Sequence, residues 1–153
     1  MIYRILNTQE SQWAPLFSRV ALGIMIFPHG AQKLLGWFGG YGFEGTMNFF
    51  TQTMGIPTPL AFLAIVAEFF GGLGLITGAL TRISALGVGF TMAVAAIQVH
   101  LHNGFFMNWM GKQQGEGIEF FILAVGLALS LLCSGGGRYS VDSKLLSMVK
   151  RAP

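Results

Sequence analysis

The sequence contains few charged residues and almost no cysteine. Only 10% of its 153 residues are Asp, Glu, Lys or Arg, whereas about 25% is usual for a soluble domain, so the chain could not cover a soluble surface. The single cysteine, Cys133, excludes an intrachain disulfide and a dithiol redox motif within this chain. The nine Lys and Arg residues form no basic stripe, which argues against a nucleic-acid partner.

Apolar residues make up 53% of the chain and are concentrated in four segments, over about residues 15–37, 59–80, 83–102 and 118–134. Each segment is roughly 17–23 residues long, and about 20 helical residues cross a hydrocarbon core of about 30 Å. The sequence therefore predicts an all-α membrane protein in which residues 1–153 form one domain, a bundle of four transmembrane helices. The lipid bilayer is its first expected partner.

Two shorter segments lie outside these spans. Residues 46–54, between the first and second spans, have Phe49, Phe50 and Met54 on one side, which predicts a short interfacial or re-entrant helix. Residues 138–151 predict an amphipathic tail.

The basic residues predict the orientation of the bundle. With four spans, both termini and the loop between the second and third spans lie on one side of the membrane. That side contains seven basic residues, namely Arg4, Arg19, Arg82, Arg138, Lys144, Lys150 and Arg151. The other side contains Lys33 and Lys112. The positive-inside rule then places both termini in the cytoplasm.

Three ionisable residues lie at corresponding depths of the first two spans. His29 is about 10 Å and Glu68 about 13 Å from the outer ends of their helices, and Lys33 follows His29 by one turn. A charge at mid-helix costs roughly 2.5–3.5 kcal/mol on insertion scales, so such residues face the bundle interior. We expect Glu68 to pair with His29 or Lys33. This pair could be a structural ion pair, or it could handle protons or bind a ligand.

Four other residues are secondary candidates for ligand binding, and each has a structural alternative. Arg19 near the inner end could be an anchor whose side chain extends to the interface. Glu119 begins the fourth span, where the helix dipole also stabilises a carboxylate. His100 ends the third span, and Trp37 could stack on a flat ligand or lie at the membrane interface.

Metal and haem sites receive little support from the sequence. His100, His102 and Glu116 or Glu119 lack the spacing of a zinc signature, so no metal is predicted. A haem between His29 and His100 is disfavoured because the depths of these residues differ by several positions.

Four parts of the chain carry recognisable motifs in a fixed order. They are RVALG and FPHGAQKL at 19–23 and 27–34, EFFGG and GALTR at 68–72 and 78–82, HLHNGFF at 100–106, and GRYSVD at 137–142. In these motifs the sequence resembles the DoxX family, part of the wider DoxX/DoxD-like group of bacterial membrane proteins. The resemblance implies a four-helix bundle in the inner membrane. It also implies a redox role in thiol, sulfur or catechol-stress metabolism, because the related DoxD protein is the membrane subunit of a thiosulfate:quinone oxidoreductase.

The leading hypothesis is a membrane oxidoreductase subunit that binds a quinone in the outer half of the bundle. His29 would hydrogen-bond a quinone carbonyl, Glu68 would relay protons, and Lys33 would stabilise the anionic reduced forms. No electron carrier is evident in the sequence, so electrons would come from a bound substrate or a partner redox subunit. The alternatives are a non-catalytic anchor or scaffold for soluble redox proteins and a small transporter. The sequence leaves open whether the protein is a homo-oligomer.

Overall fold

The computed structural model describes residues 6–8 and 11–151, and in these residues every regular element is helical. The four longest α-helices are α1 (Ala14–Leu35), α3 (Thr58–Thr77), α4 (Thr81–Ala95) and α5 (Glu119–Ser134). Two shorter helices are α2 (Gly42–Asn48) and α6 (Val141–Arg151). The prediction of an all-α protein is confirmed.

The four long helices form a ring of neighbours in which α1 packs against α3 and α5, and α4 packs against the same two helices. The centre of this bundle is apolar. It includes the buried residues Leu22, Ile26, Leu75, Val88, Phe121 and Leu131. Two helical segments, Thr58–Thr77 and Thr81–Asn103, are long and apolar enough to cross a membrane, and Glu119–Ser134 is apolar but shorter.

The helices end where glycine allows the backbone to turn. Gly36 (φ 73°) ends α1 two residues before the predicted boundary, so Trp37 lies in a separate 3₁₀ turn, Trp37–Gly39. Gly78 (φ 70°) ends α3 before the predicted boundary at residue 80. The third predicted span continues beyond α4 as a π-helical turn, Ala96–His100, and a 3₁₀ turn, Leu101–Asn103.

Helices α1 and α3 approach each other closely because glycines lie at their contact. A β-carbon at Gly23 would lie 2.8 Å from the backbone nitrogen of Ile76, and one at Gly30 would overlap the backbone of Phe69. Gly72 lies against the backbone of Phe27 in the same interface. Small residues at a helix contact favour association in membranes, and here they bring the C-terminal half of α1 next to Glu68.

The connection between α1 and α3 folds back onto the end of α1. Gly40 lies directly on the backbone of Gln32, where a side chain would not fit. Helix α2 follows and continues into a π-helical turn, Phe49–Thr53, so the helix predicted over residues 46–54 is confirmed, with an earlier start.

The predicted tail is also helical, but α6 begins at Val141 rather than at residue 138. The backbone before it turns at Gly137 (φ 65°) and Tyr139 (φ 55°). Among the apolar residues of the tail, Leu146 is buried, whereas Leu145 and Val149 are exposed. Arg4, one of the basic residues behind the predicted orientation, lies outside the described residues.

Candidate functional site

An ion pair between α1 and α3 joins two of the predicted site residues. Lys33 Nζ lies 2.5 Å from Glu68 Oε2. The side chain of Glu68 is 4% exposed, whereas that of Lys33 is 25% exposed. Lys33 is in the last turn of α1, where the helix dipole favours a cation. The prediction that Glu68 pairs with His29 or Lys33 is therefore confirmed for Lys33.

His29 lies beside this pair but outside it. It is one turn before Lys33 on α1 and within electrostatic range of both charges, yet its ring is exposed. Among the described residues it has no hydrogen-bond partner. The long side chain of lysine reaches across to α3, whereas the shorter histidine side chain stays on the outer surface of α1.

A cleft of about 290 Å³ opens next to Lys33, between the end of α1 and the segment that folds back onto it. It is lined by Gln32, Lys33, Gly39, Gly40, Tyr41, Thr46, Phe49 and Phe50. The cleft therefore combines aromatic walls with one ammonium group, two hydroxyls and one side-chain amide.

Two polar residues of this cleft, Gln32 and Thr46, were not among the sequence-based candidates. Thr46 is buried, with 4% of its surface exposed, and Gln32 donates a weak hydrogen bond to the carbonyl of Phe38 at 3.4 Å. The glycine-rich, aromatic stretch after α1 was the available signal, but its return onto Gln32 is a tertiary contact. Trp37 does not line the cleft, and its ring contacts that of Phe38 at a centroid distance of 6.3 Å.

The histidines at the end of the third helical segment have separate partners. The ring of His100 packs against Phe121 at 4.3 Å between centroids, and its Nδ1 lies 2.9 Å from the carbonyl oxygen of Glu116. His102 Nε2 lies 3.2 Å from the carbonyl oxygen of Gln98. Within the described residues, no three His, Cys, Asp or Glu side chains are grouped to hold a metal ion.

Glu119 and Glu116 hold the loop before α5. The amide of Met107 donates to Glu119 Oε1 at 3.0 Å, and the amide of Asn108 donates to Glu116 Oε2 at 2.6 Å. Glu119 also borders a second cavity of about 340 Å³ with Phe105, Met107, Trp109, Phe120, Ile122 and Leu123. Among the described residues, no hydrogen bond or ion pair joins His100 or Glu119 to Lys33 or Glu68.

Arg19 occupies the opposite end of α1, about 21 Å from Lys33 at the helical rise. It is 2% exposed, so the expectation that its side chain extends to the membrane interface is wrong. Its guanidinium donates to the carbonyl oxygens of Leu75, Ile76, Gly136, Arg138 and Tyr139, at distances of 2.5–3.3 Å. These carbonyls lie at the end of α3 and in the turn before α6, so Arg19 joins three parts of the chain.

Asp142 adds to the contacts around Arg19 at this end of the bundle and was not singled out from the sequence. Its carboxylate accepts hydrogen bonds from the amides of Leu80 at 2.7 Å and Thr81 at 2.8 Å, and it thereby caps α4. Asp142 and these amides are about 60 residues apart in sequence, so no local capping pattern indicates the contact.

Comparison with known proteins agrees with a helical membrane protein. The family model described as DoxX matches residues 14–101. The chain is 33% identical over 136 residues to inner membrane protein YqjF of Escherichia coli (strain K12), a match that covers 85% of this chain and 90% of that protein. It is 34% identical over 93 residues to a Bacillus subtilis (strain 168) protein named putative oxidoreductase CatD, covering 61% of this chain and 64% of that protein. No solved structure matches the chain.

These findings define a helical protein of the bacterial inner membrane. The chain belongs to the DoxX family, and the resemblance noted in its motifs is thereby confirmed.

Proposed function

We propose that this protein is a four-span subunit of a membrane oxidoreductase and that it binds a quinone in the cleft beside Lys33. The observation that carries the proposal is that a lysine held by a buried carboxylate lines a cleft with aromatic walls. The name of the Bacillus subtilis relative, which refers to an oxidoreductase, agrees with a redox role.

The residues of the cleft fit a quinone head group. Ligand sites are typically clefts of about 300–1,000 Å³ with mainly apolar walls and a few polar groups, and this cleft of about 290 Å³ lies at the lower end of that range. Tyr41, Phe49 and Phe50 provide flat apolar surface. The ammonium of Lys33 has three N–H donors, so it can donate to a ligand while one donor remains on Glu68.

A quinone supplies the redox chemistry, since it takes up two electrons and two protons to become a quinol. Lys33 would stabilise negative charge on a ligand oxygen, because its cation is already fixed beside the cleft. Glu68 is the nearest carboxylate to that ammonium and would exchange protons through it. We place the electron source in a partner redox protein, because this chain has one cysteine and no cofactor motif.

The four long helices would each cross the membrane, with both termini in the cytoplasm. Large apolar side chains project outward from all four of them, for example Phe17 on α1, Phe62 on α3, Phe90 on α4 and Leu123 on α5. Such outward-facing residues suit contact with lipid. The one arginine within α1, Arg19, is enclosed by carbonyl oxygens, so its charge does not face the hydrocarbon.

The proposal is tested by titrating the protein in lipid nanodiscs with a short-tailed quinone and measuring binding by calorimetry. We expect saturable binding to the wild type and at least about tenfold weaker binding to Lys33→Met, since a charge-assisted hydrogen bond is lost. Lys112→Met is the matched control because Lys112 is exposed and does not line the cleft. Equal binding to all three proteins would contradict the proposal.

A membrane anchor for soluble redox proteins is the second candidate. It is favoured by the exposed apolar side chains of the loop before α5, where Phe106, Trp109 and Met110 are more than 60% exposed. In that case Lys33–Glu68 would only join two helices. Glu68→Gln would then lower thermal stability without changing quinone binding.

A further inference from the structure

Thr46 is a largely buried residue of the cleft wall, but its hydroxyl group is not fully enclosed. The residue is 4% exposed and lines the cleft together with Lys33. No hydrogen bond joins its hydroxyl to any residue that the structure describes. The hydroxyl oxygen of Thr46 is not fully enclosed by protein, so it is accessible from the cleft.

A hydroxyl that is open to the cleft can bond to water, but a ligand that displaces this water without replacing its hydrogen bond would bury the hydroxyl unpaired, at a cost of roughly 1–3 kcal/mol. The hydroxyl of Thr51, in the same segment, already has a partner within the protein, because it donates to the carbonyl oxygen of Met47 at 2.8 Å. Thr46 therefore differs from Thr51 because its hydroxyl is available to a molecule that binds in the cleft.

From this arrangement we infer that Thr46 binds an oxygen of the quinone ring and that the cleft receives the ring while the tail stays in the lipid. This inference rests on the proposed function. A hydroxyl can both donate and accept, whereas an ammonium can only donate. Thr46 can thus donate to the carbonyl of a quinone and accept from the hydroxyl of a quinol, so it suits both redox states.

The size of the cleft supports binding of the ring alone. Its volume of about 290 Å³ is just below the range of about 300–1,000 Å³ that is usual for drug-sized ligands. Its walls are short, since they consist of the end of α1 and the segment over residues 39–50. A long isoprenoid tail would have to leave this space.

The experiment compares the binding of duroquinone (tetramethyl-1,4-benzoquinone) and its quinol, each without a tail, to the protein in nanodiscs. Thr46→Val should bind both forms about tenfold more weakly than the wild type, because one hydrogen bond is lost. Thr46→Ser keeps the hydroxyl and should stay within about threefold of the wild type by the same reasoning. Thr51→Val is the matched control and should bind like the wild type.

Thermal unfolding of the same variants separates ligand binding from folding. Since the hydroxyl of Thr46 has no partner among the described residues, Thr46→Val should unfold at or above the wild-type temperature. A lower unfolding temperature together with equal binding would instead indicate a structural hydroxyl and overturn the inference.

The remaining outcomes distinguish the inference from the proposed function. If the wild type binds duroquinone and Lys33→Met does not, but Thr46→Val binds normally, the inference fails and the proposed function stands. If the wild type binds a quinone with a ten-carbon tail but does not bind duroquinone, the inference that the ring alone occupies the cleft also fails, and the proposed function stands. If neither quinone binds saturably to the wild type, the proposed function fails and the inference fails with it.

Discussion

Two positively charged side chains at opposite ends of α1 are stabilised in different ways. Near the N-terminal end, Arg19 directs its N–H groups to five backbone carbonyls and is almost completely enclosed. At the C-terminal end, Lys33 has one carboxylate partner and remains a quarter exposed beside a cleft. The first arrangement is complete without a ligand, whereas the second leaves donors available. This difference supports a structural role for Arg19 and agrees with the proposed binding role of Lys33.

The two partners of the ion pair should respond differently to substitution. Lys33→Met leaves a buried carboxylate without its cation, and we expect it to lower the free energy of unfolding by about 3 kcal/mol. Glu68→Gln should cost only about 1 kcal/mol, because the partly exposed ammonium can turn to solvent. Unfolding in mixed detergent micelles measures both changes.

The double variant Lys33→Met/Glu68→Gln is the control for this prediction. It removes the buried charge as well as its partner, so it should be more stable than Lys33→Met alone. An equally unstable double variant would show that packing of the two side chains, rather than their charges, supports the helix contact.

Arg19 should not be replaceable by lysine. A lysine has three donors on a point charge, whereas the planar guanidinium has five in a fixed geometry. We expect Arg19→Lys to lower the free energy of unfolding by about 2–3 kcal/mol. Arg138→Lys is the comparison, since Arg138 lies 4.6 Å above the ring of Trp13 and an exposed cation–π contact contributes only about 0.5–1 kcal/mol. Similar losses for both variants would argue against the carbonyl network as the source of stability.

At the scale of helices and loops, several helix ends are stabilised by side chains from distant parts of the chain. Arg19 binds carbonyls at the end of α3, and Arg82 binds the carbonyls of Leu132 and Cys133 at the end of α5. Asp142 accepts from the first amides of α4, where Leu80 has a left-handed backbone (φ 48°). Helix ends leave amide or carbonyl groups without partners, and these side chains provide the missing hydrogen bonds. The contacts of Arg19 and Asp142 also join the tail to the bundle.

The tail should therefore depend on Asp142. Its amide also donates to the carbonyl of Gly78 at 3.0 Å, which adds a backbone contact to the carboxylate cap. Asp142→Ala should cost about 1–2 kcal/mol, as is usual for loss of a helix cap, and should increase proteolysis within α6. Lys144→Ala, an exposed change in the same helix, should leave the proteolysis rate unchanged. Equal rates for the two variants would refute the role of Asp142.

The contact between α1 and α3 should be sensitive to a single methyl group. Gly30→Ala would place its β-carbon within the backbone of Phe69, so we expect a loss of about 1–3 kcal/mol and weaker quinone binding, because Glu68 lies next to this contact. Gly126→Ala on α5 has open space around the β-carbon and should be neutral or slightly stabilising. Thermal unfolding of both variants gives the comparison, and equal effects would contradict the close approach.

For the whole molecule, the proposed orientation places the two ends of the bundle on opposite sides of the inner membrane. In a Cys133→Ser background, Lys112→Cys should react with a membrane-impermeant thiol reagent in intact spheroplasts. Lys144→Cys should react only after the membrane is opened. Both positions are exposed, so accessibility to water depends on the side of the membrane. The reverse pattern would invert the orientation, and labelling of both from outside would exclude four spans.

Much of the fold could be predicted from the sequence because it depends on local composition. Long apolar segments indicate helices, and helical rise relates depth to residue number, which is why Lys33 and Glu68 could be expected to meet. Helix ends were predicted less well, since Gly36 and Gly78 end α1 and α3 inside apolar runs. The choice of Lys33 over His29 depended on which side chain reaches across to α3.

The sequence by itself determined the helical class, the membrane environment and the family, because apolar composition and motif order are properties of the chain alone. Only the tertiary structure decided where its polar groups converge. The cleft exists because the segment after Gly36 returns onto Gln32. At the other end of α1, a hydrogen bond joins Arg19 to Gly136, which is 117 residues away in sequence. Such contacts depend on the relative positions of packed helices, and hydropathy carries no information about those positions.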